Sequence, residues 1–462
     1  MELFFGTKRA AHSSLCDRQQ EIILMKPKFD CKTFIFILSF LIGGTILFYA
    51  NEEGGNIPSA GSSGLENREA FYLKMLDDVK EEFISGKADF LEINLDRMKI
   101  NLFRQGVPIK EVPILAKGDS QGWGGSAAGL YSIIRGYKLS YSNIEDVYMP
   151  YAIHYYGKYY IHGEPYYPGG EKLDSPVSGG CIRLKDEDAK EIFELSDLNM
   201  PVLVIDKERD EVDFSGNGAK APQVSSESFL VADLDSGFIF AEKDSEKILP
   251  IASLTKLMTA VTVAENVNLK RTVLIREKML ELGYGATEGL EAEKTFRVTE
   301  LFYPLLIESS NDAAYALTWF LGREKTVQLM NEKAGEILME NTTFVEPSGF
   351  SPENVSTAKD LFYLSRYILN NRYPLLEITK GNKVTSFGDV AFDIGRLWNK
   401  NIFIYDPTFV GGKTGYIKQS KSTAVFIFRF EQRNIAIILL GSSSLRQDTQ
   451  KLYIWLQKNY FN

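Results

Sequence analysis

The chain divides into two parts of different character, and this division most constrains what it can fold into. Residues 89–206 contain short alternating apolar stretches punctuated by glycine, a pattern typical of β-strands, and a single helical stretch at 186–195. Residues 228–462 place long helical stretches between strand-like segments at both ends, which predicts an antiparallel sheet packed by helices. Residues 207–227 are polar with Gly, Pro and Ser, and are predicted to be a flexible interdomain linker.

An uncharged apolar segment precedes both domains. Residues 33–50 are eighteen positions without a charge, about the minimum length for a membrane-spanning helix. Lysines precede this segment and glutamates follow it, so the positive-inside bias predicts that residues 1–32 are cytoplasmic and that the rest lies outside. A cleaved signal peptide is the alternative, although Phe48 stands where a small residue is expected. Residues 51–88 are predicted to form a Gly/Ser-rich stalk and a helix.

Charge and side-chain usage exclude several kinds of partner. The net charge is −9 without a long basic run, which argues against nucleic acid. Beyond the apolar segment the chain has two histidines, and they lack the spacing of a zinc site, so no metal and no cofactor are expected. Cys181 is the single cysteine in that part and has no partner for a disulfide. Such a thiol is either a buried small side chain or a reactive group.

The neighbours of Cys181 favour a reactive group. A thiolate is the attacking form of cysteine, so Cys181 needs a base, and His162 follows a strand-like stretch nineteen positions upstream. Gly163 allows a backbone carbonyl to orient the imidazole, and Gly179 and Gly180 permit a tight turn that presents the sulfur.

The stretch Ser178-Gly-Gly-Cys181-Ile-Arg183, together with the upstream His162-Gly163, resembles the L,D-transpeptidase (YkuD-like) catalytic domain over residues 89–206. The resemblance implies that Cys181 is the nucleophile, that His162 is the base, and that Gly163 supplies a carbonyl to the histidine. Such domains attack the amide after the third residue of a tetrapeptide wall stem, and an amine then resolves the thioester into a 3–3 cross-link. Many members carry histidine immediately before the cysteine, where this chain has Gly180.

Two further residues are candidates for substrate binding in this domain. Arg183 can hold a carboxylate, although pairing with one of the nearby acidic residues is the alternative. His154 can contact the substrate, or it is a strand histidine that merely lines the site.

A second set of nucleophile and base residues follows in residues 228–462. Ser253 and Lys256 are three positions apart at a predicted helix start, which places them on one face. A desolvated lysine near another cation is neutral enough to act as a base, and Lys413 supplies such a charge. Ser309 and Asn311 lie in a predicted turn, where they can relay a proton and bind a substrate amide.

These three motifs in this order resemble the D-alanyl-D-alanine carboxypeptidase family of serine penicillin-binding proteins, over residues 228–462. The resemblance implies that Ser253 is acylated and that Lys256 is its base, with Ser309 and Asn311 as the second motif. The third motif would bind the substrate and, with the amide of Ser253, form an oxyanion hole; it comprises Lys413, Thr414, Gly415 and Tyr416. β-Lactams are the expected inhibitors.

The sequence thus predicts a multidomain chain with an N-terminal transmembrane helix, a mainly-β L,D-transpeptidase-like domain and an α+β penicillin-binding-like domain. The expected function is bifunctional: the serine domain trims pentapeptide stems of peptidoglycan, and the cysteine domain cross-links the tetrapeptides so formed. We expect both domains on the outer side of a bacterial cell membrane. The alternatives are a D,D-endopeptidase or β-lactamase serine domain, or a wall-binding scaffold with an inactive module.

Overall fold

The computed structural model describes residues 72–212, 214, 219–281, 290–385 and 393–461. The predicted transmembrane helix at 33–50 and the stalk up to residue 71 lie outside the described residues. Within the described part of the chain, no helix has the length and apolar character that crossing a membrane requires.

The N-terminal domain consists of two sheets and a helix, preceded by helix α1 (Leu76–Ser85). Its strands are β1 (Phe90–Asn94), β2 (Lys99–Arg104), β3 (Val107–Pro113), β4 (Gly129–Ser132), β5 (Arg135–Ser142), β6 (Val147–Tyr156), β7 (Tyr159–His162), β8 (Ile182–Arg183) and β9 (Pro201–Ile205), and its helix is α2 (Asp186–Leu195). One sheet has the order β3-β2-β1-β9-β4 and the other the order β5-β6-β7-β8. Strands β7 and β8 pair in parallel, with His162 opposite Arg183. The second sheet therefore brings two distant stretches of sequence side by side.

The C-terminal domain is a sheet covered by helices on both faces. Its strands are β10 (Ser228–Asp233), β11 (Ile239–Lys243), β12 (Leu249–Pro250), β13 (Thr272–Leu274), β14 (Thr295–Arg297), β15 (Val355–Ser356), β16 (Phe409–Ile417), β17 (Lys421–Phe430) and β18 (Arg433–Ser442). Its helices are α3 (Thr255–Asn266), α4 (Glu277–Glu281), α5 (Val298–Leu306), α6 (Asn311–Leu317), α7 (Arg323–Glu336), α8 (Ala358–Asn371), α9 (Tyr373–Lys380) and α10 (Leu445–Tyr460). The main sheet is antiparallel with the order β11-β10-β18-β17-β16.

Strand β18 shows why this sheet is covered on both sides. Ile435, Ile437 and Leu439 point to one face and pack with residues of α10. The alternate residues Ala436 and Ile438 point to the other face and join the core formed by the remaining helices. Because successive side chains of a strand point to opposite faces, a strand that is apolar at every position needs a layer on each side.

A buried cluster of charged residues joins the two domains. Arg372 Nη2 lies 2.8 Å from Glu265 Oε1, and Lys333 Nζ lies 3.2 Å from Glu265 Oε2. Across the interface Arg372 donates hydrogen bonds to Gly125 O (2.6 Å) and Tyr159 Oη (2.8 Å). Burial raises the pKa of Glu265, but attraction by Lys333 and Arg372 outweighs it and lowers the pKa overall, so the carboxylate is charged.

The start of the predicted linker contacts both domains. Lys207 Nζ donates to Asp235 Oδ1 (2.8 Å) in the C-terminal domain, and the Arg209 amide donates to Asp77 Oδ2 (2.9 Å) on α1. The adjacent Asp206 pairs with Arg366 of α8 at 2.9 Å. Residues 206–209 are therefore fixed by contacts, and the domains pack directly on one another instead of being joined by a free coil.

Candidate active sites

Ser253 lies in a short 3₁₀ turn, Ala252–Leu254, which runs directly into helix α3. The residue before it, Ala252, has a φ of +49°, a left-handed conformation that costs a non-glycine residue free energy. Gly349, with a φ of +83°, packs so closely against the Ala252 carbonyl that a Cβ would collide with it. This contact holds the strained turn and so fixes the position of the serine hydroxyl.

Lys256 is the nearest base to that hydroxyl. Its Nζ atom is 3.0 Å from Ser253 Oγ and donates to Asn311 Oδ1 (2.7 Å) and to the Ser348 carbonyl. Burial lowers the pKa of Lys256 to about 7, against a smaller opposing effect of Glu346. A neutral amine has two N–H donors, and both have acceptors here, so its lone pair is directed at the serine hydroxyl.

Lys413 supplies a second buried amine, on strand β16. Its Nζ donates to Ser309 Oγ (2.8 Å) and to the Thr414 carbonyl (2.9 Å). Burial lowers the pKa of Lys413, and repulsion by Lys256 and Lys400 adds to this. Ser309 itself has a φ of +67°, so this contact is made by a strained residue.

The rest of the third motif borders the nucleophile. A Cβ on Gly415 would lie 2.8 Å from the Ser253 amide nitrogen, so the two backbones are in direct contact. Thr414 Oγ1 donates to Lys400 O (3.3 Å), and the Tyr416 side chain is exposed. The structure thus brings together most of the residues that the sequence assigned to the serine centre, namely Ser253, Lys256, Ser309, Asn311, Lys413 and Gly415.

One part of the serine centre was missed by the sequence analysis. Glu346 is buried and accepts hydrogen bonds from the amides of Ser348 (2.7 Å) and Gly349 (2.5 Å) and from Asn354 Nδ2 (2.6 Å). These bonds hold in place the Ser348 carbonyl, which accepts a hydrogen bond from the Lys256 amine. The turn sequence Glu-Pro-Ser-Gly at 346–349 was the available signal.

The cysteine centre is a cavity of about 120 Å³ between the two domains. Its walls include His162, Cys181 and Arg183. His162 pairs with Arg183 of β8, and Cys181 immediately precedes that strand, so the imidazole and the thiol line the same cavity.

The hydrogen bonds of His162 define its tautomer. Nδ1 lies 2.6 Å from the carbonyl of Gly163, which can only accept, so Nδ1 carries the proton and Nε2 is the free base. Burial lowers the pKa of His162 to about 4, so the ring is neutral at neutral pH. The Gly163 amide donates to Pro150 O (2.8 Å), which holds this carbonyl in place.

Cys181 is likewise neutral at rest. Burial raises the pKa of its thiol to about 11, against smaller opposing effects that include the charges of Lys158 and Arg183. Its Sγ donates to the Lys158 carbonyl at 3.8 Å. The resting pair is therefore a thiol and an imidazole, so a nucleophilic attack by this sulfur would require the transfer of its proton to a base.

The two substrate-binding candidates occupy different places. Arg183 is buried, lines the cavity, and donates from Nη1 to Ser175 O (2.8 Å). His154 lies on β6, stacks on Tyr160 with ring centroids 4.6 Å apart, and bonds through Nε2 to Gly157 O (2.9 Å). It is not among the residues that line the Cys181 cavity.

The structure explains why glycine precedes the nucleophile. Gly180 has a φ of +118°, and a Cβ there would collide with the ring of Tyr159. Tyr159 in turn accepts the hydrogen bond from Arg372 of the C-terminal domain. A histidine at this position would not fit.

The C-terminal domain also contributes to this cavity, which the sequence did not predict. Asn268, Leu269 and Lys270, which follow helix α3, line it together with Lys158 and Trp123 of the N-terminal domain. Trp123 stacks on Phe302 of helix α5, with ring centroids 5.2 Å apart. No local sequence pattern predicts such residues, because they are brought together only by the packing of the two domains.

Comparisons with known proteins agree with this division of the chain. The sequence profile of the D-alanyl-D-alanine carboxypeptidase family matches residues 215–444, and that of the L,D-transpeptidase catalytic domain matches residues 88–204. A D-alanyl-D-alanine endopeptidase of Haemophilus influenzae is 31% identical over 229 residues, covering 47% of this chain and 76% of that protein. The D-alanyl-D-alanine carboxypeptidase DacF of Bacillus subtilis is 27% identical over 241 residues, 48% of this chain and 59% of that protein.

Among solved structures, the D-alanyl-D-alanine carboxypeptidase of Mycobacterium tuberculosis H37Rv is similar at 27% identity and a TM-score of 0.47, covering 53% of this chain and 95% of that one. The profile matches and the identity to the Haemophilus protein confirm both resemblances drawn from the motifs. The chain therefore belongs to the D-alanyl-D-alanine carboxypeptidase family through its C-terminal half, and its residues 88–204 match the sequence profile of the L,D-transpeptidase catalytic domain.

Proposed function

We propose that the chain is a bifunctional peptidoglycan enzyme with a serine D,D-carboxypeptidase centre and a cysteine L,D-transpeptidase centre. The serine centre removes the last D-alanine of a pentapeptide stem. The cysteine centre uses the resulting tetrapeptide as acyl donor and forms a 3–3 cross-link. The product of the first reaction is thus the substrate of the second.

At the serine centre, Lys256 accepts the proton of Ser253 as the hydroxyl oxygen attacks the carbonyl between the two D-alanines. The terminal D-alanine leaves as a free amine after receiving a proton, and water hydrolyses the ester. Lys413 and Thr414 would hold the terminal carboxylate, and Asn311 the peptide amide. The observation that carries this half is the position of the buried Lys256 Nζ, 3.0 Å from Ser253 Oγ and bonded to Asn311 Oδ1 and the Ser348 carbonyl.

At the cysteine centre, His162 Nε2 takes the thiol proton as Cys181 attacks the carbonyl of the third stem residue. The C–N bond to D-alanine breaks, the proton passes to the leaving amine, and a thioester remains. A side-chain amine of a second stem then attacks the thioester, releasing the thiol. The free Nε2, set by the Nδ1 contact with Gly163, supports this assignment.

Mass spectrometry of pentapeptide-containing wall fragments incubated with the full chain tests both halves. We expect the pentapeptide stems to lose one alanine first. Cross-linked dimers should then form, in which the donor tetrapeptide has lost its own terminal D-alanine. A Ser253→Ala variant should stop both steps on pentapeptide but still cross-link added tetrapeptide. A Cys181→Ala variant should accumulate tetrapeptide, and an unchanged product pattern in either variant would refute that half.

D,D-endopeptidase activity at Ser253 is the second candidate. It is favoured by relatives named D-alanyl-D-alanine endopeptidase in Haemophilus influenzae, Pseudomonas aeruginosa and Escherichia coli, at 31%, 29% and 27% identity. Cleavage of purified D,D-cross-linked dimers, measured beside trimming of pentapeptide monomers, separates the two activities. The faster reaction at equal concentration identifies the main substrate.

We also propose that residues 33–50 anchor the protein in the bacterial cell membrane, with both centres on the outer side. The uncharged segment and its flanking charges support this topology. Protease added to intact spheroplasts should degrade both domains while the membrane fraction keeps a short N-terminal fragment. Protection of the domains from protease would contradict the proposal.

A further inference from the structure

Helix α3 connects the two catalytic centres. Its first turn carries Lys256 of the serine centre, and the residues that follow its last turn line the cysteine cavity. Asn268, Leu269 and Lys270 form a wall of that cavity which the L,D-transpeptidase domain does not itself supply.

Lys158 fixes this wall against the nucleophile. Its ammonium group donates to Ala264 O (2.9 Å) and Val267 O (3.4 Å), at the carbonyl end of helix α3. The negative end of a helix dipole is a favourable place for a cation. Its main-chain carbonyl, meanwhile, accepts the Cys181 thiol (3.8 Å). One residue therefore contacts both the reactive sulfur and the other domain.

At the rim of the cavity, Lys270 faces Glu145 of the N-terminal domain. The two charged groups are 3.5 Å apart, and the side chains are 57% and 51% exposed. An exposed pair of this kind contributes little to stability, so a competing carboxylate can take the place of Glu145 at small cost. Stem peptides carry such carboxylates.

We propose that the cysteine site is a composite one, in which Lys270 of the serine domain binds a carboxylate of the stem peptide and thereby determines which donor reaches Cys181. Glu145 competes with that carboxylate for the same cation. This inference rests on the proposed transpeptidase function, and it makes the serine domain a structural part of the cysteine centre independently of its own chemistry.

The test measures binding apart from chemistry. Full-length Cys181→Ala protein, with Ser253 acylated by penicillin, is titrated calorimetrically with a synthetic tetrapeptide stem and with the same peptide whose carboxylates are amides. Lys270→Ala should weaken binding of the acidic peptide about three- to fivefold and leave the amide unaffected. Glu145→Gln should tighten binding of the acidic peptide about twofold, because it removes the competitor.

Lys294→Ala is the matched control. Lys294 is also 57% exposed, in a pair with Glu291 that is 51% exposed, but it does not line the cavity. It should leave both dissociation constants unchanged. If the ion pair between Lys270 and Glu145 had a purely structural role, Lys270→Ala and Glu145→Gln would both weaken binding of the acidic peptide. That result would overturn the proposal. So would no effect of Lys270→Ala, an equal effect on the two peptides, or no binding of the acidic peptide.

If the proposed transpeptidase function is wrong but the role of Lys270 is right, the result differs from those above. The unmodified chain would then bind the tetrapeptide with the same dependence on Lys270 and yet form neither a thioester nor a cross-linked product. Mass spectrometry of the intact protein after mixing with tetrapeptide gives that second readout.

Discussion

Replacing Arg372 with methionine tests whether the two domains form one cooperative unit. The guanidinium is 1% exposed and lies 2.8 Å from Glu265. Removing one member of a buried ion pair costs about 3–5 kcal/mol, because the other charge is left uncompensated. Lys333 stays 3.2 Å from Glu265, which points to the lower half of that range. The buried Gly125 carbonyl and Tyr159 hydroxyl each lose a donor, which adds about 1–2 kcal/mol.

We therefore expect the free energy of unfolding to fall by about 4–6 kcal/mol. Urea unfolding followed by tryptophan fluorescence measures it, since Trp123 stacks on Phe302 at the interface. Acylation of Cys181 by a carbapenem should fall more than labelling of Ser253 by penicillin, because Arg372 positions the tyrosine ring that packs beside the cysteine turn.

Arg429→Met is the control for this substitution. Arg429 is an exposed arginine bonded to Asn434, and its loss should change the free energy of unfolding by no more than about 0.5 kcal/mol. If Arg372→Met does not fold, Tyr159→Phe removes only one acceptor and should cost about 1–2 kcal/mol. A loss below about 1 kcal/mol for Arg372→Met would refute the coupling of the domains through this cluster.

Three other predictions follow from the two centres. Penicillin acylation of Ser253 should increase with pH through about 7, because Lys256 acts as a base only when neutral; stopped-flow rates that do not change between pH 6 and pH 8 would contradict this. The rate of Cys181 alkylation by iodoacetamide should increase about tenfold per pH unit from pH 7 to pH 10, since the thiol pKa is raised to about 11. A rate that is already constant with pH near neutrality would show that Cys181 is a thiolate there. Gly180→Ala should reduce carbapenem acylation of Cys181 more than tenfold, because the new Cβ collides with Tyr159 and alanine is strained in a left-handed conformation. Labelling of Ser253 should not change. A normal amount of the Cys181 adduct in intact-protein mass spectrometry would contradict this prediction.

The sequence was most informative where the chemistry is local. Ser253 and Lys256 are three positions apart on one helical turn, so their contact needs no knowledge of the fold. The helix predicted at 186–195 has these bounds in the structure. Asp312 is of a residue type that favours an N-cap, but the cap of α6 is Ser310, whose hydroxyl accepts from Ala313 N at 3.0 Å. A carboxylate is favourable at both positions, so composition alone does not separate them.

The contacts between the domains could not be predicted in this way. Glu265, Lys333 and Arg372 lie on or next to helices, where charged residues normally face solvent, and nothing in their spacing shows that they are buried together. The same holds for Lys270 at the cysteine cavity, which depends on how one domain docks on the other. Motifs identify the reacting groups, whereas long-range packing decides what surrounds them.

Helix α3 has a consequence for the distance over which the enzyme works. It has 12 residues and a length of about 18 Å, and it runs from Lys256 of the serine centre to the wall of the cysteine cavity. Because a helix is stiff, it holds the serine centre at a fixed distance from that wall, which a flexible linker would not do. Under the proposed bifunctional reaction, the site that trims a stem and the site that cross-links it therefore keep one spacing, whatever the length of the polar segment between the domains.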